Sequence, residues 1–159
     1  MSFGEWALWG FAATVVLTTI LAGSQGLGLT RMSIPFLVGT LFTPHRDRAK
    51  AIGVAVHLVN GWLFALVYLA TFHAWGGGGL VRGAAIGAIH ALFVLTVVMP
   101  VYPALHPRMT SEHHGPGARR QLLEPPGFLA LNYGYQTPLA VLVSHVVYGM
   151  VLGAFYRFS

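Results

Sequence analysis

Three histidines lie inside long apolar stretches of the sequence, where an ionisable side chain is unusual. His57, His90 and His145 each fall within a run that contains no Asp, Glu, Lys or Arg. Imidazole ligates metal ions and haem iron, relays protons, and donates or accepts hydrogen bonds near neutral pH. An ionisable residue within a membrane helix is by default a hypothesis for a functional site. We therefore take these three residues as candidates for cofactor binding.

The three imidazoles are expected at a similar depth. Counting about 1.5 Å per residue, His57 and His145 lie about 10 Å, and His90 about 15 Å, from the same end of the predicted helices. Three interpretations stay open. Neutral imidazoles bind backbone carbonyls or Thr14, Thr18, Asn60 and Tyr148, and only join the helices. Alternatively they ligate a metal or a non-covalent haem, since the chain has no Cys for covalent attachment, or they relay protons or ions.

The elements that must position these residues are membrane helices. The chain has 159 residues, of which 55% are hydrophobic and only 8% are charged, against about a quarter charged in a soluble domain. Its uncharged runs cover residues 6–30, 51–81, 83–107 and 125–156, and each exceeds the roughly 20 residues that a spanning helix needs. The sequence predicts an all-α polytopic membrane protein, a single membrane domain over 1–159, with helices at about 6–28, 51–74, 80–99 and 138–156.

The two halves of the sequence share a pattern on their second helices. One stripe is His57, Gly61, Ala65 and Tyr68, and the other, at the same spacing, is His145, Gly149, Gly153 and Tyr156. Both stripes keep to one helix face. We interpret the chain as two duplicated helical hairpins, one over about 6–75 and the other over about 80–159, inserted in the same direction.

Small residues at helical spacing predict where these helices pack, because backbones approach closely at such positions in a membrane. The predicted packing residues are Gly53, Gly61, Ala65, Gly83, Gly87, Gly149 and Gly153. Each half also contains a short apolar piece, at 34–42 and 128–131. These pieces are too short to span, which favours interfacial or re-entrant segments.

Basic residues predict the orientation. One end of the helices carries most of them: Arg31, Arg46, Arg48, Lys50, Arg108, Arg119 and Arg120. The other end has only Arg82 and Arg157, so the first end is expected on the cytoplasmic side and both termini outside. Because these residues lie in short loops beside apolar helices, we expect contact with anionic lipid head groups rather than with nucleic acid.

The long third loop contains prolines and histidines. Pro100 and Pro103 are expected to end the third helix near Met99, since proline disrupts a helix interior. The loop histidines do not match a standard zinc spacing. We therefore expect solvated loop side chains at His45, His106, His113 and His114, with Glu112 beside them.

Three stretches carry a family resemblance: residues 29–35 (Leu-Thr-Arg-Met-Ser-Ile-Pro), residues 37–44, and residues 126–134 (Pro-Gly-Phe-Leu-Ala-Leu-Asn-Tyr-Gly). With these, most of the chain resembles an uncharacterised family of small bacterial four-helix integral membrane proteins. The resemblance implies the fold and a bacterial origin, and it implies no activity. We expect a multi-pass helical protein of that origin in the inner (cytoplasmic) membrane.

Two classes of function follow from these patterns. The sequence has no Gly-x-Ser-x-Gly, His-Glu-x-x-His or paired-carboxylate motif, so an enzyme is the less favoured class. The favoured hypothesis is a structural or accessory subunit that self-associates or joins a larger membrane complex through its small-residue faces. The alternative is a haem-binding, metal-binding or proton-conducting bundle that uses His57, His90 and His145.

Overall fold

A computed structural model describes residues 3–109 and 123–156, and these residues are helical without a named β-strand. The elements are α1 (Phe3–Gly26), α2 (Ile34–Gly39), α3 (Arg46–Ala74), α4 (Leu80–Phe93), a π-helical turn (Val94–Val98), α5 (Met99–Leu105), a 3-10 segment (Phe128–Tyr133) and α6 (Thr137–Phe155). The π-helical turn joins α4 and α5 into one helix, Leu80–Leu105.

Four of the helices are long and apolar enough to cross a membrane. They are Phe3–Gly26, Arg46–Ala74, Leu80–Leu105 and Thr137–Phe155. An all-α fold with four helices long and apolar enough to span a membrane is thus confirmed for the described residues. The helices differ in how far the chain itself covers them, because 44% of the apolar window of α6 is buried but only 17% of that of α3. Helix α6 is therefore central in the bundle and α3 is peripheral.

The helices pack in an uneven ring. Helix α1 contacts both α3 and α6, and α4 packs closely along α6. Helices α3 and α4 follow each other in the chain but make few contacts, while the short helix α2 packs against α3. The side of the bundle between α3 and α4 is consequently its least tightly packed side.

The third membrane helix is longer than the sequence predicts, and the expected end near Met99 is wrong. The helix passes through Pro100 and Pro103 and ends at Leu105. A π-helical turn at Val94–Val98 immediately precedes these prolines. Such a turn widens the helix and shifts its backbone bonding by one residue, so that the Met99 N–H donates to the Val94 carbonyl five residues earlier. The two prolines are therefore accommodated without ending the helix.

The glycine turn between α3 and α4 is a structured connection. Gly76, Gly77 and Gly79 have φ angles of +68°, +149° and +124°, which residues other than glycine rarely adopt. The Arg82 guanidinium donates to the carbonyls of Trp75 and Gly77, at 3.1 and 2.6 Å. The turn thus brings the start of α4 back toward the bundle.

At the opposite end, polar contacts join the short segments to the long helices. The Thr30 and Thr137 hydroxyls lie 2.7 Å apart, and the Arg31 backbone N–H donates to the Tyr133 carbonyl at 2.7 Å. Met109 and Leu123 form an isolated bridge. Helix α2 and the 3-10 segment fall on the two apolar pieces that the sequence singles out.

Candidate functional site: a cavity lined by three histidines

The structure brings the three candidate histidines to one cavity. His57 on α3, His90 on α4 and His145 on α6 all line a space of about 370 Å³ inside the bundle. Aliphatic and aromatic side chains from α1, α2 and the other helices form most of its wall, and no Asp, Glu, Lys or Arg contributes. The cavity is thus an apolar, uncharged space with a few polar groups.

His145 has a defined proton position. Its ring is buried, and Nδ1 lies 2.8 Å from the backbone carbonyl oxygen of Val141, one turn earlier in α6. Because a carbonyl only accepts, Nδ1 carries the proton and donates, and the neutral ring keeps Nε2 as an acceptor. His145 therefore presents a hydrogen-bond acceptor within the bundle.

His90 is held by its ring contacts and by one hydrogen bond. Its Nδ1 lies 3.0 Å from the Tyr68 hydroxyl, and its ring stacks on Phe64 with centroids 4.6 Å apart. The His145 ring meets it edge to face at 4.7 Å, with an angle of 85° between the planes. The two imidazoles are therefore in direct contact, and the His90 ring lies between α3 and the His145 ring of α6.

His57 differs from the other two because one of its ring nitrogens is unsatisfied. Its Nε2 is buried and makes no hydrogen bond with any other described residue. A buried polar atom without a partner costs about 1–3 kcal/mol. His57 also lines a smaller space of about 50 Å³ that Gln25 and Ser33 share. This Nε2 has almost no accessible surface, so a ligand in the cavity reaches it only if the imidazole ring turns.

The cavity reaches the outer surface of the bundle between α3 and α4. Phe64 and Phe93 line it and are nevertheless 42% and 48% exposed. Asn60, near the middle of α3, also lines it and is exposed. Few backbone contacts join α3 and α4, and the His90 ring spans this side through its stacking on Phe64 and its hydrogen bond with Tyr68. This side is therefore the thinnest part of the cavity wall.

The glycines beside the cavity lie at close helix contacts within the chain. Gly83 and Gly149 face each other so closely that each meets the carbonyl oxygen of the other, and Gly87 lies against the carbonyl of His145. The other predicted packing residues also lie at such contacts: Gly53 at Pro35, Gly61 at Thr14, Ala65 at Gly10, and Gly153 at Gly79. Much of the small-residue surface is therefore already covered inside one chain.

His145 bonds a backbone carbonyl, as one interpretation of the sequence expects, but Thr14, Thr18 and Tyr148 are not its partners. Thr14 and Thr18 donate to carbonyls of their own helix, each at 2.7 Å. Tyr148 donates to the Gly61 carbonyl at 2.6 Å rather than to an imidazole. The partner of His90 is Tyr68, which belongs to the repeated stripe. The sequence feature that could have identified Tyr68 as this partner is its position on that stripe.

Metal ligation receives no support from the geometry. Within residues 3–109 and 123–156, no three His, Cys, Asp or Glu side chains are grouped closely enough to hold a metal ion. The contact between the rings of His90 and His145 and the hydrogen bonds of their Nδ1 atoms leave at most one nitrogen of each ring free. A hydrogen-bonding ligand fits these groups better than a metal does.

The expectation that His106 is a solvated loop residue is wrong. His106 is fully buried beside α5. Its Nε2 donates toward the Leu37 carbonyl at 3.2 Å, with the Thr40 hydroxyl also at 3.2 Å, and its Nδ1 accepts from the Arg108 backbone N–H at 3.1 Å. Burial lowers the pKa of His106 below its usual range. Glu112, His113 and His114 lie outside the described residues.

Comparison with protein-family models, with curated proteins and with solved structures gives no match to this chain. The chemistry of the cavity is therefore the basis on which a function is assigned.

Proposed function

We propose that this membrane protein binds a lipophilic small molecule in the cavity lined by His57, His90 and His145. The observation that carries the proposal is the combination of an apolar wall with three imidazoles around about 370 Å³. Ligand sites in proteins are typically concave and apolar, about 300–1,000 Å³ in size, with a few polar groups that fix the orientation of the ligand.

The polar groups define the class of ligand. His145 offers an acceptor at Nε2, and the unsatisfied Nε2 of His57 gains a partner in either protonation state. No charged side chain lines the cavity, so a charged ligand would lose its hydration without compensation. An apolar molecule with a hydroxyl group that donates to His145, such as an alkyl phenol, matches these features, whereas an alkyl quinone, whose carbonyls only accept, pairs with a protonated Nε2 of His57.

The route of entry follows from the packing. The exposed cavity residues Phe64 and Phe93 flank the weakly packed side between α3 and α4. A ligand dissolved in the hydrocarbon reaches the cavity through this thin side of its wall without crossing water. Asn60 lies on the same side, where its amide can bind the polar group of an incoming molecule.

Ligand extraction and thermal stability together test the proposal. Purified protein is extracted for mass spectrometry of bound organic molecules, and its melting temperature is measured with an alkyl quinone or an alkyl phenol. A ligand at 100 times its dissociation constant stabilises by about 2.7 kcal/mol. We expect Val94→Trp, which fills the cavity, to abolish this stabilisation. Val97→Trp is the matched control, because Val97 is exposed and does not line the cavity.

The proposal is contradicted if no molecule is extracted and neither probe stabilises the wild type, or if both tryptophan variants respond like the wild type. An absorption spectrum of the purified protein tests the alternative that the bound molecule is haem. A Soret band that disappears in His57→Ala would replace the quinone or phenol by a non-covalent haem in the same cavity.

A second candidate function is self-association or attachment to a larger membrane complex. Asn60 favours it, because an amide exposed on the outer face of α3 gains a hydrogen bond from another chain in the membrane. The chain has no Cys, so Asn60→Cys introduces a unique cross-linking site. Strong oxidative dimers at Asn60→Cys, with none at the exposed control Ile89→Cys, would support this function. Equal dimerisation at both positions would contradict it.

The remaining features of the architecture are part of the same proposal. We place the protein in a bacterial inner membrane, within the small four-helix family it resembles, with both termini outside and anionic lipid at the basic end. The halves 6–75 and 80–159 are proposed as duplicates, supported by the repeated order of long helix, short segment and long helix. To test the orientation, cysteines are placed at the two ends of the membrane helices and their labelling is measured in intact cells.

A further inference from the structure

A second cavity lies at the basic end of the bundle, and through Gln25 and Ser33 it adjoins the small space that His57 lines. It measures about 430 Å³, and three cationic side chains line it: Arg46 and Lys50 of α3, and Arg108 beyond α5. Ser33, Thr40 and Gln25 add two hydroxyls and an amide, and none of the lining side chains is a carboxylate. The cavity therefore concentrates positive charge and hydrogen-bond donors.

Arg108 is held in a fixed position in this cavity. Its Nη1 donates to the carbonyl oxygens of Thr40 and Leu41 at the end of α2. Nη2 and Nε make no hydrogen bond with another described residue. A guanidinium anchored by one nitrogen keeps the others for an anion, which it binds in a planar, forked geometry.

Arg46 and Lys50 lie four residues apart, so both side chains project from the same face of α3. Like charges at this spacing repel each other, and neither forms an ion pair with another described residue. Glu124 already pairs with Arg31 at 3.1 Å. The N-terminus of α3 adds a further partial positive charge. An anion between the three cations relieves the repulsion.

We propose that this basic cavity binds a phosphate group. A phosphate offers several oxygens to cations that come from separate segments, and the cavity lies at the end of the membrane helices, at the level of lipid head groups. Phospholipid head groups and soluble phosphate compounds share this chemistry. The proposal does not depend on the ligand of the histidine cavity.

Native mass spectrometry of the full chain in detergent tests the site. Phosphatidylglycerol is the anionic probe and phosphatidylcholine the zwitterionic reference. We expect Arg46→Gln/Lys50→Gln to weaken phosphatidylglycerol binding about thirtyfold, as follows from two basic side chains near an anionic group. Arg48→Gln is the matched control, because Arg48 is exposed on the same helix turn and does not line the cavity. It should change binding less than twofold.

Titration with inorganic phosphate distinguishes a phospholipid head group from a soluble phosphate compound as the ligand. Binding of millimolar phosphate by the wild type, measured by titration calorimetry and lost in the double variant, assigns the site to a soluble phosphate compound. Lipid binding that phosphate does not displace assigns it to a lipid head group. The proposal is overturned if Arg48→Gln weakens binding as much as the double variant, or if neither probe distinguishes the double variant from the wild type. Lys50→Gln alone serves if the double variant does not fold.

Discussion

The two helical hairpins of this chain are packed in different ways. Between α4 and α6, Gly83 and Gly149 lie opposite each other, and each backbone meets the other's carbonyl oxygen. Between α1 and α3, Gly61 meets the side chain of Thr14 instead. A threonine between two helices keeps their backbones further apart than a pair of glycines does. The same stripe of small residues thus gives one close contact and one wider contact.

This difference accounts for the position of the histidine cavity. Helix α6, in the close hairpin, has 44% of its apolar window buried, while α3, in the wider hairpin, has 17%. His145 on α6 is buried with a satisfied Nδ1, whereas His57 on α3 keeps an unsatisfied Nε2. The close hairpin supplies a rigid wall, and the wider hairpin leaves the space in which a ligand fits.

Helix α3 is connected to the second half of the chain largely by tyrosine contacts. Tyr148 donates to the Gly61 carbonyl, and the Tyr68 hydroxyl lies 3.0 Å from Nδ1 of His90. The rings of Tyr68 and Tyr148 also meet edge to face at 5.1 Å. These contacts bridge the halves beside the cavity, where close backbone packing is missing.

The largest expected effect comes from adding a methyl group to each hairpin. In Gly83→Ala the new Cβ meets backbone atoms of Gly149, which cannot move without displacing α6. In Gly61→Ala it meets the Thr14 side chain, which can give way only by losing its hydrogen bond to the Gly10 carbonyl but does not require a whole helix to move. We expect Gly83→Ala to cost about 3 kcal/mol and Gly61→Ala about 1 kcal/mol, within the range for overpacked sites. Reversible unfolding in mixed micelles measures both.

Equal losses in the two alanine variants would remove the distinction between the hairpins. A larger loss in Gly61→Ala would reverse it. Ala85→Val is the control for a larger side chain on an exposed face of α4, and it should change the free energy of unfolding by less than about 0.5 kcal/mol.

The second prediction concerns the bridge between the halves. Tyr148→Phe keeps the ring but leaves the Gly61 carbonyl without its side-chain donor. Because the Gly61 carbonyl also accepts a backbone hydrogen bond within α3, we expect a loss of about 0.5–1.5 kcal/mol in the free energy of unfolding, the net contribution of one hydrogen bond. Tyr135→Phe is the matched control, because the Tyr135 ring is 83% exposed. Similar stability of the two variants would argue against a bridging role for Tyr148.

The sequence predicts the elements of this comparison better than their packing. Uncharged runs locate the four membrane helices because hydrocarbon tolerates few charges, and the repeated stripe picks out the residues that meet at helix contacts. The difference between the hairpins depends on Thr14, and no motif or spacing in the sequence distinguishes this residue from the other threonines. Pro100 predicts a helix end, yet a local π-helical turn before it allows continuation. Whether a helix continues through a proline, and how closely two helices approach, depends on neighbouring helices. A local sequence pattern contains no information about them.

His106 provides the third prediction, since it joins α2 of the first half to α5 of the second. Burial lowers its pKa in the folded protein, and the adjacent Arg108 charge acts in the same direction, while its hydrogen bond to Leu37 opposes both. In the unfolded chain the His106 imidazole has the ordinary pKa of about 6.5, so the unfolded chain binds the proton more readily than the folded protein does. The stabilisation from neutral His106 is present above about pH 6.5 and is lost as the pH falls below it.

Unfolding of the wild type and of His106→Asn between pH 8 and pH 5 measures this contribution. The wild type should lose more stability than the variant on acidification, because Asn keeps hydrogen-bonding groups but does not titrate. Parallel pH profiles would show that His106 does not contribute to the pH dependence. A steeper loss in the variant would contradict the assigned direction of the pKa shift.

The smallest expected effect concerns the ion pair between the halves at the basic end. Arg31 and Glu124 lie 3.1 Å apart, but their side chains are 67% and 48% exposed. Arg31 also donates to the Asn132 carbonyl, so its position does not depend on Glu124. Glu124→Gln should therefore cost less than about 0.5 kcal/mol, and the difference should vanish in about 1 M salt. A loss above 1 kcal/mol at low salt that disappears in about 1 M salt would mean that charge, and not only packing beside the cavity, joins the two halves.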